Sequence, residues 1–248
     1  AGLGEKPPPI NDGLEQLTRT FSMDRSFCDA LADSPAAVPV AKLFIYARWA
    51  QAYLNPIQEE LHAMAQRHFV APSAEVAAFW TVALTGGVYK DLSLVPYLAV
   101  RGLISECGSA VRRSLEHVGV LTHLWHEPGN AVHLDDPDGS EFCNAFVREP
   151  SKEKAADLRT AGVSKRFAHC VLGKAASVLY RLFSANTVHG GSPAQLVMQE
   201  LSPTPFSCAL LNRPDPHDKK IARELELLAQ ACELLCVEIV HVHGTYGK

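Results

Sequence analysis

The sequence lacks the features that mark several large classes of protein. No apolar run approaches the roughly 18 residues that a membrane-spanning helix needs, and no positively charged and then apolar leader opens the chain. The formal net charge of −4 provides no basic field that would attract phosphates at long range. Any nucleic acid would therefore have to be held by a local patch. We expect a soluble, cytoplasmic protein with no membrane partner.

Motifs for the common catalytic chemistries are also missing. The sequence has no phosphate-binding P-loop, no Gly-x-Gly-x-x-Gly turn and no Gly-x-Ser-x-Gly nucleophile turn. Its seven cysteines form neither a disulfide framework nor a Cys-x-x-Cys zinc pattern, because their number is odd and their spacing is scattered. We expect buried, reduced thiols, as in cytosolic proteins, and no cofactor.

Helical periodicity dominates what is present. With 47% hydrophobic and 20% charged residues, the composition is that of a globular protein. Residues 1–13 contain three consecutive prolines and predict a flexible lead-in, whereas residues 14–248 predict a single helical domain. Glycine and proline predict helix ends at Gly86-Gly87, Pro128-Gly129 and Gly190-Gly191. The predicted fold is an all-α bundle of six to eight helices.

Several finer boundaries follow from local signals. Asn55-Pro56 is typical of a cap and a first helical position, so it predicts the start of a new or kinked helix. The longest helical pattern runs from Ser93 to His126, with Pro96 in its first turn. Asp215-Pro216 predicts the start of the last helix. Residues 237–246 show the β-branched alternation of a short strand.

Histidine motifs do not complete a metal site. Residues 59–62 contain one Glu-x-x-His, whereas di-iron carboxylate bundles need this motif on two helices. His123 and His126 share a helical face without an obvious set of carboxylates. His241 and His243 alternate as on a strand and would attract adventitious nickel or zinc. These patterns predict no dedicated metal site and leave a metal-dependent helical oxidase as a distant third hypothesis.

Two helical segments carry the most unusual polar residues. In the first, Arg112 and Glu116 are four residues apart and Arg113 and Glu116 are three apart, so each pair can meet on one helical face. The second segment runs from Tyr180 to Gly191 and carries Arg181 near its edge. Such residues either brace neighbouring helices through ion pairs or form the polar floor of a site.

Both segments resemble known families. The first contains R-S-L-E-H (Arg113 to His117) and the second Y-R-L-F-S-x-x-x-V-H-G (Tyr180 to Gly190). They resemble bacterial all-helical families in which an Arg-Ser-Leu-x-Glu helix is followed by a Ser-x-x-x-His-Gly helix end. Those families are similar to the HEPN superfamily, helical bundles that include metal-independent ribonucleases of toxin and antiphage systems. The resemblance covers roughly residues 90–190 and implies a HEPN-like fold.

The resemblance also implies roles for individual residues. The HEPN signature of Arg, one residue, four to six residues and His fits Arg181 and His189. His189 would act as general base and acid in RNA cleavage, and Arg181 would stabilise the charge on the phosphorane. The polar residues that would support this pair are Arg113, Glu116, His117, Ser184 and Asn186.

Helix geometry constrains how that pair can work. A straight helix would separate Arg181 from His189 by roughly 12 Å along its axis. The helix must therefore end before His189, or two protomers must bring the motifs together, which favours a homodimer. The resulting hypothesis is a bacterial defence- or stress-related protein with metal-independent RNase activity and RNA as a partner.

A non-catalytic alternative stays open. Active HEPN members have a polar residue after the signature arginine, whereas this chain has Leu182. That difference and the acidic balance favour an interaction or ligand-sensing helical module with an unknown small ligand or protein partner. On this interpretation the same polar residues brace the core.

Overall fold

The computed structural model describes residues 25–68, 74–135, 140–142, 145–146, 165–184 and 215–246. Within them the chain is mainly helical and contains no strand, which confirms the predicted all-α multi-helix bundle. The α-helices are α1 (Arg25–Leu31), α2 (Ala37–His68), α3 (Ala74–Ala99), α4 (Ile104–His126), α5 (Ser140–Phe142), α6 (Gly173–Phe183) and α7 (Lys219–Tyr246). A 3-10 helix at Pro128–Asp135 follows α4. The predicted lead-in and the Gly190-Gly191 helix end lie outside the described residues.

Helix α2 is continuous through Pro56, so of the new or kinked helix predicted at Asn55-Pro56 the new helix is wrong. Proline removes one backbone N–H and crowds the preceding turn, which weakens a helix interior. Leu54 and Ile57 on either side of Pro56 are buried, and Leu61 continues the same face one turn later. Burial of this apolar face stabilises the helix more than the proline weakens it.

Helix α3 continues through Gly86-Gly87, where the sequence predicted an end. Gly87 instead faces the imidazole ring of His117 on α4, and a Cβ atom at Gly87 would lie 2.5 Å from its Nδ1 atom. The glycine therefore allows α3 and α4 to approach each other closely, which the sequence alone cannot distinguish from a helix stop.

The boundary between α3 and α4 also lies later than predicted. Pro96 is in the last turns of α3 rather than the first turn of α4. The chain turns at Gly102, whose φ of 73° lies in the left-handed region that glycine adopts without steric cost. Helix α4 then runs from Ile104 to His126 and ends just before Pro128-Gly129, as predicted.

The C-terminal strand prediction is wrong, because α7 is helical to Tyr246. Leu235, Ile239 and Val242 are buried and recur at helical spacing, so the β-branched residues serve a helix that packs against α2 and α4. The helix begins at Lys219, a few residues after the predicted start at Asp215-Pro216.

Helix α4 lies at the centre of the described part of the bundle and packs against α3, α6 and α7. Its buried residues include Leu115, Leu121, Leu124 and Trp125, and all described helices of the bundle share one hydrophobic core. None of the described helices is both long enough and apolar enough to cross a membrane.

Candidate functional site

One stripe of α4 carries two polar clusters. Polar residues recur along this stripe every three to four residues: Arg112, Glu116, His123 and His126. Gly119 occupies the stripe in the helical turn between Glu116 and His123. A Cβ atom at Gly119 would lie 2.9 Å from a backbone oxygen of the segment that precedes α6, so this glycine lets that segment lie against the stripe. The first cluster lies midway along α4 and the second at its C-terminal end.

The central polar cluster consists of Arg112, Glu116, Arg166, Tyr180 and Ser184. The Oε1 atom of Glu116 accepts hydrogen bonds from Arg112 (3.0 Å), Arg166 (2.7 Å) and the Tyr180 hydroxyl (2.7 Å). The Nε atom of Arg112 donates to the Ser184 hydroxyl at 3.0 Å. The cluster therefore ties α4 to α6 and to the segment before α6.

The Tyr180 side chain closes this cluster. Both guanidinium groups lie over its ring, with Arg166 4.9 Å and Arg112 5.3 Å from the centroid. Cation–π contacts and charge-assisted hydrogen bonds thus act on the same three groups. The predicted supporting residues Glu116 and Ser184 meet here, but through Arg112 rather than through the predicted Arg113.

Arg113 and His117 lie on another side of α4 and face α3. Arg113 donates to both carboxylate oxygens of Asp91, and the Ser114 hydroxyl donates to Oδ2 at 3.1 Å. The Asp91 side chain is 2% exposed, whereas that of Arg113 is 50% exposed. No sequence motif marks Asp91 as a partner of Arg113, because Asp91 lies more than twenty residues away on a separate helix.

Burial lowers the pKa of His117 below its ordinary value of 6.5. Arg113 acts in the same direction, while Asp91 and Glu116 oppose it. The Nδ1 atom of His117 has no hydrogen-bond partner among the described residues. His117 thus packs as a neutral ring against Gly87 and does not contribute to the central polar cluster.

Arg181 is exposed on α6. Its Nε atom donates to the backbone oxygen of Ser177 at 3.3 Å. The side chain lines a groove of about 720 Å³ that Lys174 also lines. Asn186 and His189, which the sequence nominated with Arg181, lie outside the described residues.

The second cluster, at the C-terminal end of α4, consists of His123, His126, Glu127 and His169; we call it the histidine cluster. The rings of His126 and His169 stack with centroids 4.4 Å apart, and those of His123 and His169 are 5.1 Å apart. Glu127 Oε2 lies 3.3 Å from Nε2 of His123, and Oε1 lies 3.7 Å from Nε2 of His169. Glu127 thus supplies a carboxylate to His123 and His169, although the sequence shows no obvious set of carboxylates for His123 and His126.

The surroundings of His123 and His126 oppose the protonation of these two rings. Burial lowers the pKa of His123 to about 4, and His169 and Lys165 act in the same direction, whereas Glu127 opposes them. Burial and the neighbouring His169 also lower the pKa of His126. The sequence carried one signal for the cluster, His-x-x-His-Glu at the end of a helix, but nothing that linked it to His169.

An apolar groove of about 580 Å³ lies between α6 and α7. Its polar lining residues are Lys174, Gln230 and Glu233. Its apolar walls are formed by Leu172, Ala175, Val178, Leu179, Leu227, Leu234 and Val237.

Most described thiols are buried, as predicted. Burial raises the pKa of Cys107, Cys170 and Cys236 to about 12 and that of Cys232 well above its ordinary value. Cys28 is exposed, which corrects the prediction for that residue. The buried thiols behave as small apolar side chains rather than nucleophiles.

These helices define the class of the protein as an all-α multi-helix bundle. The chain matches no family model, no curated protein and no solved structure. Any inference about function therefore rests on the side chains of the two clusters and of the grooves.

Proposed function

We propose that the chain is a non-catalytic helical interaction module of the cytoplasm that acts as a homodimer. The observation that supports this proposal is the arrangement around Glu116. One of its carboxylate oxygens receives three donors from Arg112, Arg166 and Tyr180. Apart from the buried Nε atom of Arg166, which has no hydrogen-bond partner among the described residues, the donors that face Glu116 are occupied within the cluster. The cluster therefore stabilises the contact between α4 and α6 instead of presenting these donors to a substrate.

The surface of α6 and α7 supplies the interaction site. Val178 is 61% exposed, and Val171, Leu172, Val237 and Val240 are exposed beside or within the apolar groove. Contiguous exposed apolar surface is typical of interaction sites. A second copy of the chain would remove these side chains from water.

Charge within the groove favours a second copy as the occupant. Lys174 and Glu233 both line it. In a two-fold dimer the same patch faces itself, so Lys174 of each protomer can meet Glu233 of the other. Opposite charges at the rim of an apolar patch would fix the register of the two copies.

Sedimentation of the full chain at micromolar concentration tests this proposal. We expect a dimer for the wild type and a monomer for Val178→Asp, because the charge would be buried in the apolar interface. Phe79→Asp is the matched control, since Phe79 is 60% exposed on α3 and does not line the groove. A monomeric wild type, or a Val178→Asp variant that remains dimeric, would overturn the homodimer.

The second candidate is metal-independent RNase activity in a bacterial defence- or stress-related protein, as the HEPN resemblance implies. One observation favours it: exposed Arg181 and Lys174 line the same groove on α6. They form a local positive patch of the kind that a chain with a net charge of −4 would need to hold RNA. A dimer through α6 would bring two such patches together.

Incubation of the purified protein with a labelled total-RNA pool and a chelator separates the two candidates. We expect no cleavage, because the interaction module has no catalytic role. Cleavage by the wild type that disappears in both His189→Ala and Arg181→Ala would replace the proposal with the RNase.

A further inference from the structure

Three potential metal ligands converge at the end of α4. One ring nitrogen of His123, one carboxylate oxygen of Glu127 and one ring nitrogen of His169 all lie within 4.8 Å of one another. Ligand atoms that bind a tetrahedral zinc ion at about 2.0–2.1 Å are roughly 3.3 Å apart. Glu127 already lies 3.3 Å from one imidazole nitrogen and 3.7 Å from the other. Small side-chain movements would complete such a triangle.

We propose that His123, Glu127 and His169 bind one divalent transition-metal ion, with zinc as the best-suited ion. Two imidazoles and a carboxylate are ligands that zinc commonly takes in proteins. The site is independent of the groove between α6 and α7, so it stands whether or not the chain is a dimer. The proposal departs from the expectation that this chain has no dedicated metal site.

The hydrogen bonds of Asn130 show which nitrogen of His123 carries the lone pair. The Nδ2 atom of Asn130 lies 2.9 Å from Oε2 of Glu127 and 3.0 Å from Nε2 of His123. The ionised carboxylate can only accept, so this end of the amide is the NH2 group. Nε2 of His123 must then accept as well, which places the ring proton on Nδ1. This is the tautomer that binds a metal through Nε2.

The end of a helix favours a cation at this position. Helix α4 ends at His126, and the backbone N–H of Glu127 donates to the His123 carbonyl at 2.8 Å. The carbonyl end of a helix carries partial negative charge, which stabilises a positive ion.

The site is accessible and partly preorganised. The side chains of Glu127 and His169 are 54% and 28% exposed, so an ion can reach them from solvent. His126 stacks on His169 and holds its ring beside the other ligands. Asn130 must turn its amide away from the ion, and the rotation would offer Oδ1 in place of Nδ2. Three protein ligands leave a position for water, as in catalytic zinc sites.

Titration of the untagged, chelator-treated full chain with Zn²⁺ and Co²⁺ tests the site. We expect one ion per chain, a higher melting temperature on binding, and visible Co²⁺ absorption bands of a four- or five-coordinate site. Glu127→Gln and His169→Ala should each weaken binding at least about tenfold, since even the loss of a partner outside the ligand set costs that much.

Two sets of control variants separate this site from other histidines. His62→Ala removes an exposed histidine on α2 that hydrogen-bonds to Gln66, and it should leave binding unchanged. A His241→Ala, His243→Ala double variant tests the tail pair that the sequence marked for adventitious binding. Binding that depends on the tail pair and not on Glu127 would overturn the proposal.

Glu127→Gln keeps the result decisive if His169→Ala fails to fold. Glu127 is half-exposed and glutamine has nearly the same shape, so this variant should retain the wild-type circular dichroism spectrum. Failure of the wild type to bind either ion, or unchanged Co²⁺ bands in folded Glu127→Gln, would also overturn the proposal.

Discussion

The middle and the end of α4 carry polar clusters of similar size, but the two are balanced in different ways. In the middle, the Glu116 carboxylate receives three donors from positively charged or hydroxyl groups. At the end, two imidazoles share the carboxylate of Glu127, which also accepts a hydrogen bond from the neutral amide of Asn130. The first cluster holds two guanidinium groups against one carboxylate, whereas in the second one carboxylate lies among imidazoles and a neutral amide.

This difference indicates which of the two clusters can bind an ion or molecule from outside the protein. A polar group that is fully bonded within the protein stabilises the fold and has no donor to offer. In the histidine cluster, ring nitrogens of His123 and His169 converge on one carboxylate, and burial opposes the protonation of His123. We therefore propose that the central polar cluster acts as a structural brace and that the histidine cluster binds an external partner. Substitutions at the two positions test this contrast.

The largest effect is expected from Arg113→Ala, which removes the partner of buried Asp91 in the middle of the helix. Among the described residues, Ser114 would remain as a hydrogen-bond donor to the Asp91 carboxylate. An unpaired buried charge typically lowers the free energy of unfolding by about 3 kcal/mol or more. Asp91→Ala should cost clearly less, because the half-exposed Arg113 can be rehydrated. Urea denaturation of both variants measures the asymmetry. Equal losses of unfolding free energy would show that Asp91 is not held as a buried ion.

A smaller difference is expected between Glu116→Gln and Glu127→Gln in the metal-free protein. The first replaces the acceptor of three charge-assisted or hydroxyl bonds and should cost about 2 kcal/mol of unfolding free energy. The second changes a half-exposed side chain and should alter stability by less than about 0.5 kcal/mol. Zinc added at saturation should stabilise the wild type and Glu116→Gln but not Glu127→Gln. A similar loss of unfolding free energy in Glu127→Gln would mean that both clusters stabilise the packing of the helices.

Local sequence patterns predicted helices well and their ends less well. The apolar spacing of α2 and α7 is a local property, so the helical class follows from the residues themselves. Whether Pro56 or Gly87 ends a helix depends on what packs against it from elsewhere. Burial beside Pro56 and the imidazole against Gly87 are tertiary facts that no local pattern contains.

The candidate sites show the same division. The pairing of Arg112 with Glu116 was predictable, because residues four apart share a helical face. Arg166 and Tyr180 reach Glu116 from 50 and 64 residues away, and the sequence marks neither as its partner. His169 likewise joins His123 only through the fold. Long-range partners decide whether a polar residue is a brace or a ligand, so the sequence left that question open.

Gly87→Ala tests how tightly the interior side of α4 is packed. The added Cβ would lie 2.5 Å from Nδ1 of His117, and this clash should outweigh the gain in helix propensity and destabilise the fold by about 1 kcal/mol. Gly86→Ala is the matched control, because its Cβ would lie 3.5 Å from Gln58, an ordinary contact, and should stabilise the helix. Thermal denaturation compares them. Adding His117→Ala should remove the penalty at Gly87, and its persistence would place the clash elsewhere.

The smallest effect is a dependence of stability on pH that His117 confers. Burial keeps the pKa of His117 below 6.5 in the folded state, with Arg113 acting the same way against Asp91 and Glu116. Above the unfolded pKa both states are neutral and the residue contributes no pH dependence. As the pH falls below about 6.5, the unfolded state binds the proton first, so stability decreases until the folded pKa is reached. The free energy of unfolding should therefore fall more steeply from pH 7 to pH 5 in the wild type than in His117→Gln. Parallel profiles for the two proteins would show that the imidazole of His117 is hydrated in the folded state. The middle of α4 would then be accessible to water rather than closed by packing against α3.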